Sequence, residues 1–438
     1  MPMLNPEKAQ RWVAGTTTLN GVDPLSGASV LGVPSVYWER PTVGQAVAGW
    51  GEAAVREARS AAEVNEVLST LASRAEIRWM EGVPKGMPGP WFGGMRFAAS
   101  APSDARWEAH GFARWTMPEV LAWRVGTGVK VAAFALEDAG GEDLVRSRLE
   151  RVRASFPDSY YHPKGGVVGL QLSSSRQDFE ARVSRALEAI NAGCIQKVVM
   201  ARAVEAVGSA PFDLVEVLAR LREQNPRCVT FLFRAKSETA FLGATPETLC
   251  RVEGRTLETE ALAGSAAPGQ AEGLGGSDKE SREHQSVVRY ILSALRPVAE
   301  HVTADAEPSL LTLKNVVHLR TGIRAELREG VSPAQVVAAL HPTPAVGGVP
   351  REHALGFLHE HEALDRGWYA GPVGWIGPSG AHMAVALRSA LVTGAHARLF
   401  VGAGIVQGSS AEAEWRETEM KSLAMLRALG GSDVRRES

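Results

Sequence analysis

Several apolar runs of strand length follow one another in this chain with very little between them, and that spacing restricts the possible folds most. CVTFLFR (228–234), TAFLGA (239–244) and RVEGRTLETEAL (251–262) succeed each other across gaps of a few residues. Gaps of that size allow a tight turn, whereas a parallel crossover needs a dozen residues or more. RVEGRTLETEAL reads as a hairpin turning at Glu253-Gly254, and AHMAVALRSALVTGAHARLFVGAGIV (381–406) as two strands joined by a turn. CIQKVVMARAVEA (194–206) is a further strand. Between these lie helical patterns. Phe179, Val183, Ala186, Leu187 and Ile190 share one face over 175–193, with Asp178 as candidate cap and Gly193 as stop. LGGSDKESREHQSVVRYILSALRPVAE (274–300) is a long amphipathic helix capped by Ser277 or Asp278, and a last helix runs from about Ala411 to Leu429. Nearer the N-terminus, PWFGGMRF (90–97) and VKVAAFAL (129–136) read as strands, and VNEVLSTLASRAEIRWM (64–80) and GEDLVRSRLERVRA (141–154) as helices. With few regular βαβ units, this order predicts an α+β fold with largely antiparallel sheets. A Pro/Gly-rich stretch, PDSYYHPKGG (157–166), divides the chain at 165/166 into an N-terminal part (1–165) and a C-terminal part (166–438).

The length of 438 residues suffices for a substantial core, and a net charge of −2 with dispersed Arg and Lys gives no pull toward nucleic acid or anionic membranes. Cys194, Cys228 and Cys250 form no CxxC pair, each lies beside apolar residues, and all three are expected to be small buried hydrophobes. Sparse cysteines, an N-terminus without a basic-then-apolar pattern and no apolar stretch of membrane-spanning length predict a soluble cytoplasmic protein.

The chemistry begins with two acidic pairs. Glu280 and Glu283 are three residues apart on one helix, and Glu414 and Glu417 repeat that spacing on another, with Lys421 four residues beyond Glu417. Residues at that spacing share a helix face, where like charges repel. A hard divalent cation removes that repulsion. On spacing alone a solvated face is the commoner reading of each pair, and Glu417–Lys421 reads as a surface salt bridge. HEHEALD (359–365) also reads as a solvated face, since His359 and His361 do not share a helix side and no HExxH is present.

Read together, SREH (281–284), AVALRSAL (384–391), VGAGIV (401–406) and EAEWRETEMK (412–421) resemble the chorismate-utilising enzymes. IQKVVMAR (195–202), FLGATPETL (241–249), TEALAGS (259–265), VVHLRTGI (316–323), HPTPAVGG (341–348) and DRGWYAGPVGW (365–375) extend the resemblance over about 170–430. The N-terminal third is matched mainly through its WFGGMRF block. The resemblance implies two largely antiparallel sheets packed together and flanked by helices, with the site between them and both parts of the chain in one interleaved unit. It implies Mg²⁺ as cofactor, held principally by Glu283 and Glu417 with Glu280 and Glu414 in support. Arg388 is expected to grip the pyruvyl carboxylate of chorismate, with Tyr369 and the backbone N–H of Gly402 as companions. Gly402 is read as lying in a Gly-Ala-Gly turn that admits an anion. Lys421, Gly264, Ser265 and His318 complete the implied pocket.

Within that family the resemblance is closest to isochorismate synthases. Lys197 stands where those enzymes carry the base for water, where ammonia-using members have glutamine. A lysine is protonated at neutral pH, and burial beside a metal cation favours its neutral form. Glu247 matches the general acid for the C4 hydroxyl, and a carboxyl among apolar neighbours is expected to have a raised pKa. Ala345, followed by Val346, stands where pyruvate-eliminating relatives carry threonine. The stretch after Ser265, Ala-Ala-Pro-Gly, departs from the family's Arg-Pro-Arg-type run, which bears on the order of loop 266–276. The expected partner is the small molecule chorismate, acted on by a monomer or weak homo-oligomer with no fused glutaminase.

Overall fold

The computed structural model describes residues 11–430 except 21, 73–76, 85, 99–103, 158–160, 163–169, 174, 237–238, 267–268, 270–273, 275–277, 315 and 379. The candidate cap Ser277, most of the linker at 157–166 and most of loop 266–276 fall outside the described residues.

The apolar runs assemble into two sheets. In the first, the strands lie in the order Leu170–Ser173, Lys197–Gly208, His396–Val406, Ser389–Thr393, Thr239–Thr245, Val229–Lys236, Val36–Arg40, Gln45–Trp50, Val120–Val125, Gly128–Leu136, Trp12–Asn20 and Ile77–Trp79. Gly348–Val349 adds to the outer edge of Lys197–Gly208. The second runs Ala299–Ala304, Val317–Leu327, Thr256–Ala266, Thr248–Glu253, Gly380–Val385, Pro372–Gly377, Trp91–Met95, Ala113–Met117 and Ala54–Ala58, with Ser309–Thr312 on Val317–Leu327. Among the described residues every pairing is antiparallel except Trp12–Asn20 with Ile77–Trp79. Both sheets cross residue 165: Thr230 pairs with Glu39 in the first, and Val373 with Gly94 in the second. In the WFGG run a side chain at Gly93 would lie 1.9 Å from the Arg114 carbonyl, so only glycine lets those strands meet.

The faces that meet form one core. Trp38, Phe231 and Phe241 from the first sheet join Phe92, Trp115 and Met383 from the second, all essentially without solvent exposure. Burial of each large apolar side chain contributes about 1.5–3 kcal/mol. Aromatic edges interlock there, as where Trp107 meets Phe241 at 5.2 Å between ring centres. Helices Arg176–Asn191 and Ala411–Gly430 cover the strand His396–Val406, while Asp278–Leu295 packs on Thr256–Ala266. Among the described residues no helix is long and apolar enough to cross a membrane.

Several expectations need correction. Residues 381–406 form three strands in two sheets: Gly380–Val385 belongs to the second, and Ser389–Thr393 and His396–Val406 to the first. The expected helix over 64–80 ends at Ala72, and Ile77–Trp79 is a strand. Helix Arg176–Asn191 is capped by Ser175, whose side chain accepts from the Asp178 N–H, so Asp178 sits inside the first turn. Cys194 is exposed, while Cys228 and Cys250 are buried. Gly402 lies within the strand His396–Val406 opposite Ala201, where regular pairing replaces the expected turn.

Candidate active site

Two of the places where the chain steps between sheets build one wall of a cavity. Thr239–Thr245 is in the first sheet and Thr248–Glu253 in the second, so Glu247 sits at a crossing. Arg388 sits at another, between Gly380–Val385 and Ser389–Thr393, with φ of 47°. That left-handed backbone is costly for a non-glycine residue and is held by its surroundings. The crossings bind each other: Val385 N–H donates to Glu247 O at 3.0 Å, Ala244 N–H to Arg388 O at 3.2 Å, and Thr245 Oγ1 to Val385 O at 2.6 Å.

Glu247 is buried, and its pKa is pushed up to about 8 by loss of hydration, then by the nearby Glu260 charge, against the pull of Lys197 and Lys421. At neutral pH it carries a proton. Arg388 is also buried, and burial lowers its pKa from the usual value. Among the described residues no carboxylate lies within 4 Å of its guanidinium; its partner is His318 Nε2 at 3.1 Å. Because a guanidinium only donates, Nε2 must accept. The His318 proton is therefore on Nδ1, which faces Ser265 Oγ at 3.0 Å and the Gly264 carbonyl at 3.2 Å. Burial and the charges of Arg388 and Lys421 lower the His318 pKa well below its ordinary value, so the ring is neutral. Gly264 has φ of +79° and sits in an irregularity of the strand pairing between Ala263 and Ser265, which turns Ser265 toward the cavity.

Two helices bring the glutamates. From Asp278–Leu295, Glu280 accepts from the Ser265 N–H at 2.9 Å and Glu283 accepts from Lys197 Nζ at 2.6 Å. From Ala411–Gly430, Glu414 is buried and Glu417 accepts from Lys421 Nζ at 2.6 Å. Lys421 also donates to the Gly402 carbonyl at 3.0 Å. As arranged, lysine ammonium groups neutralise Glu283 and Glu417. Among the described residues no three His, Cys, Asp or Glu side chains converge as a ready-made metal cluster. The donor set still fits a hard cation: four carboxylates from two helices line one cavity without a sulfur ligand among its described lining, and the cavity's imidazole, His318, is bonded to Ser265 and Arg388.

All the expected site residues except Lys197 line this cavity, including Ala345, Val346 and Tyr369. Lys197, first residue of its strand, reaches it through Glu283. The Tyr369 ring stacks on Phe400 at 5.3 Å, and its hydroxyl lies 3.0 Å from where a side chain at Gly402 would begin. Gly404, two residues on and hence on the same strand face, does the same for Glu283 and Lys197, at 3.0 and 3.3 Å. Sequence reasoning passed over Gly404, although the alternating glycines of VGAGIV were the signal. It also passed over Arg366, which lines the cavity, and its buried partner Glu362.

Comparison with known proteins agrees with this geometry. Residues 3–430 match a family model described as chorismate binding enzyme. The chain is 34% identical to the salicylate biosynthesis isochorismate synthase of Pseudomonas aeruginosa, over 94% of this chain and 90% of that protein. It is 31% identical to the isochorismate synthase MenF of Bacillus subtilis, over 94% and 92%. In structure it resembles the menaquinone-specific isochorismate synthase MenF of Escherichia coli, with a TM-score of 0.77 at 26% identity, covering 97% of this chain and 96% of that one.

Proposed function

The chain belongs to the chorismate binding enzyme family, and from that premise we propose that it is an isochorismate synthase, an isomerase adding water at C2 of chorismate and expelling the C4 hydroxyl. One observation carries the reading. A buried carboxyl that holds its proton near neutrality, Glu247, shares a cavity with a buried guanidinium, Arg388, that has no carboxylate within 4 Å among the described residues, and the buried Lys197 is bonded to that cavity's Glu283.

In this reading Arg388 takes the enolpyruvyl carboxylate, with Tyr369 and the Gly402 backbone beside it. Gly264 and Ser265 border the ring carboxylate, and His318, neutral and bonded to both Ser265 and Arg388, orients the two. Lys197, which must act as its free amine, takes a proton from water as the water oxygen bonds to C2. The ring double bonds shift, the C4–O bond breaks, and Glu247 protonates the departing oxygen, so one water enters and one leaves. Glu280, Glu283, Glu414 and Glu417 would hold Mg²⁺. When bound, Mg²⁺ supplies positive charge for the ring carboxylate at the most acidic end of the cavity. Lys421 balances charge at that end and braces Gly402. Ala345 and Val346 flank the substrate, with no hydroxyl at position 345 to assist pyruvate elimination.

The test is product analysis. Purified protein with chorismate and Mg²⁺ is expected to give isochorismate, unchanged by added ammonia. Salicylate or an aminated ring as main product would overturn the assignment. We propose that the product serves menaquinone biosynthesis, as in the menaquinone-specific E. coli enzyme whose structure this chain resembles. The name of the P. aeruginosa relative supports salicylate formation as the second reading. Loss of menaquinone on deletion of the gene distinguishes them. Two buried free thiols, Cys228 and Cys250, accord with a cytoplasmic setting.

A further inference from the structure

The strand that begins at Lys197 has an interrupted outer edge. At its start Lys197 and Val198 pair with Val349 and Gly348, and the Val199 N–H donates to the Gly347 carbonyl at 2.8 Å. At its far end Glu205 to Gly208 pair with Leu170–Ser173. Between these stretches, among the described residues, no strand meets the Val199 carbonyl or the Ala201 N–H, and an ion pair takes the strand's place. Arg366 Nη2 donates to Val199 O at 2.6 Å, and Ala201 N–H donates to Glu362 Oε2 at 2.8 Å.

The pair is joined twice, Nε to Oε1 at 2.5 Å and Nη2 to Oε2 at 2.6 Å, and both residues are about 4% exposed or less. The remaining arm of the guanidinium, Nη1, donates to Val346 O at 2.9 Å. The Phe97 ring lies 4.2 Å beneath it. One planar group thus grips both the backbone two residues beyond Lys197 and the loop that carries Ala345 and Val346. A buried ion pair is a poor source of stability, since apolar residues of similar volume often hold a fold as well. Its fork geometry fixes positions better than apolar packing does.

We infer that Glu362 and Arg366 form a positioning clamp that sets the base strand against the Ala345–Val346 loop and so controls how completely the reaction stops at isochorismate. This rests on the isochorismate synthase reading. The competing step moves the hydrogen on C2 to the methylene carbon of the enolpyruvyl group as the C3–O bond breaks. It yields salicylate and pyruvate, needs no oxidant, and depends on how the enolpyruvyl arm lies beside that loop.

Two variants test the clamp, each assayed for melting temperature, kcat, KM for chorismate and the salicylate-to-isochorismate ratio. The double variant Glu362→Met with Arg366→Met removes both charges together. Arg366→Lys keeps the charge but cannot span both Glu362 oxygens and both carbonyls. Both are expected to stay folded, with kcat lowered ~10–100-fold, KM within about threefold, and a raised share of salicylate. The double variant is expected to show the larger change. Wild-type kcat and product ratio in folded variants would overturn the clamp, as would failure of both variants to fold, which would make the pair a stability element only. Wild-type protein that makes no isochorismate would instead overturn the functional reading.

Discussion

Two helices give the cavity four glutamates, its acidic end, with Lys197 and Lys421 bonded to two of them; at its Arg388 end the buried guanidinium has a neutral histidine for its partner. The acidic end suits added positive charge, and the Arg388 end suits an incoming carboxylate. Glu247 lies among these charges, yet burial keeps it neutral, so it belongs electrostatically to neither end.

The comparison can be broken at each end. The largest effect is expected from Arg388→Met, which removes the carboxylate's partner. A loss of about 3–4 kcal/mol corresponds to a ~10²–10³-fold fall in kcat/KM, carried mostly by KM. Steady-state kinetics would check it, and an unchanged KM would mean that the enolpyruvyl carboxylate binds elsewhere. At the acidic end, Glu283→Gln is expected to raise the Mg²⁺ concentration for half-maximal activity by about tenfold or more, with KM for chorismate at saturating Mg²⁺ altered less. A Mg²⁺ titration in which the variant matched wild type would take Glu283 out of the metal site.

The smallest effect sharpens the place of Glu247. Its carboxyl keeps its proton in the fold to a pKa of about 8, against an ordinary value of 4.5. The unfolded chain releases that proton earlier, so the folded state loses stability as pH rises through that interval. A glutamine there does not titrate. Melting curves of Glu247→Gln should gain on wild type by about 2–5 °C between pH 5 and pH 8. A constant difference would mean that the carboxyl ionises normally.

Strand runs, helices and the residues around the cavity were legible because each is a local pattern or a recognisable block. What stayed hidden depends on contacts between distant segments. Arg388 was read as part of a continuous hairpin because its neighbours are apolar on both sides; that the chain changes sheets there is visible only in the pairing of Gly380–Val385 and Ser389–Thr393 with different partners. HEHEALD was taken as a solvated face, and His359 and Glu360 are indeed exposed, but Glu362 is buried against Arg366 four residues on. A charged residue at the end of a helix carries no local mark of whether a distant strand edge is waiting for it. The Lys197–Glu283 pair was equally unreadable, because its partners lie 86 residues apart, whereas the Lys421–Glu417 pair stood in the four-residue spacing.

The central claim is that water activated at Lys197 attacks C2 while Glu247 sends the C4 hydroxyl away. Turnover of chorismate in ¹⁸O-labelled water, with the isochorismate examined by mass spectrometry, tests it most directly. The account predicts one labelled oxygen, located at the C2 hydroxyl. Isochorismate without label would mean that the original hydroxyl migrates within the molecule, contradicting the roles given to both residues.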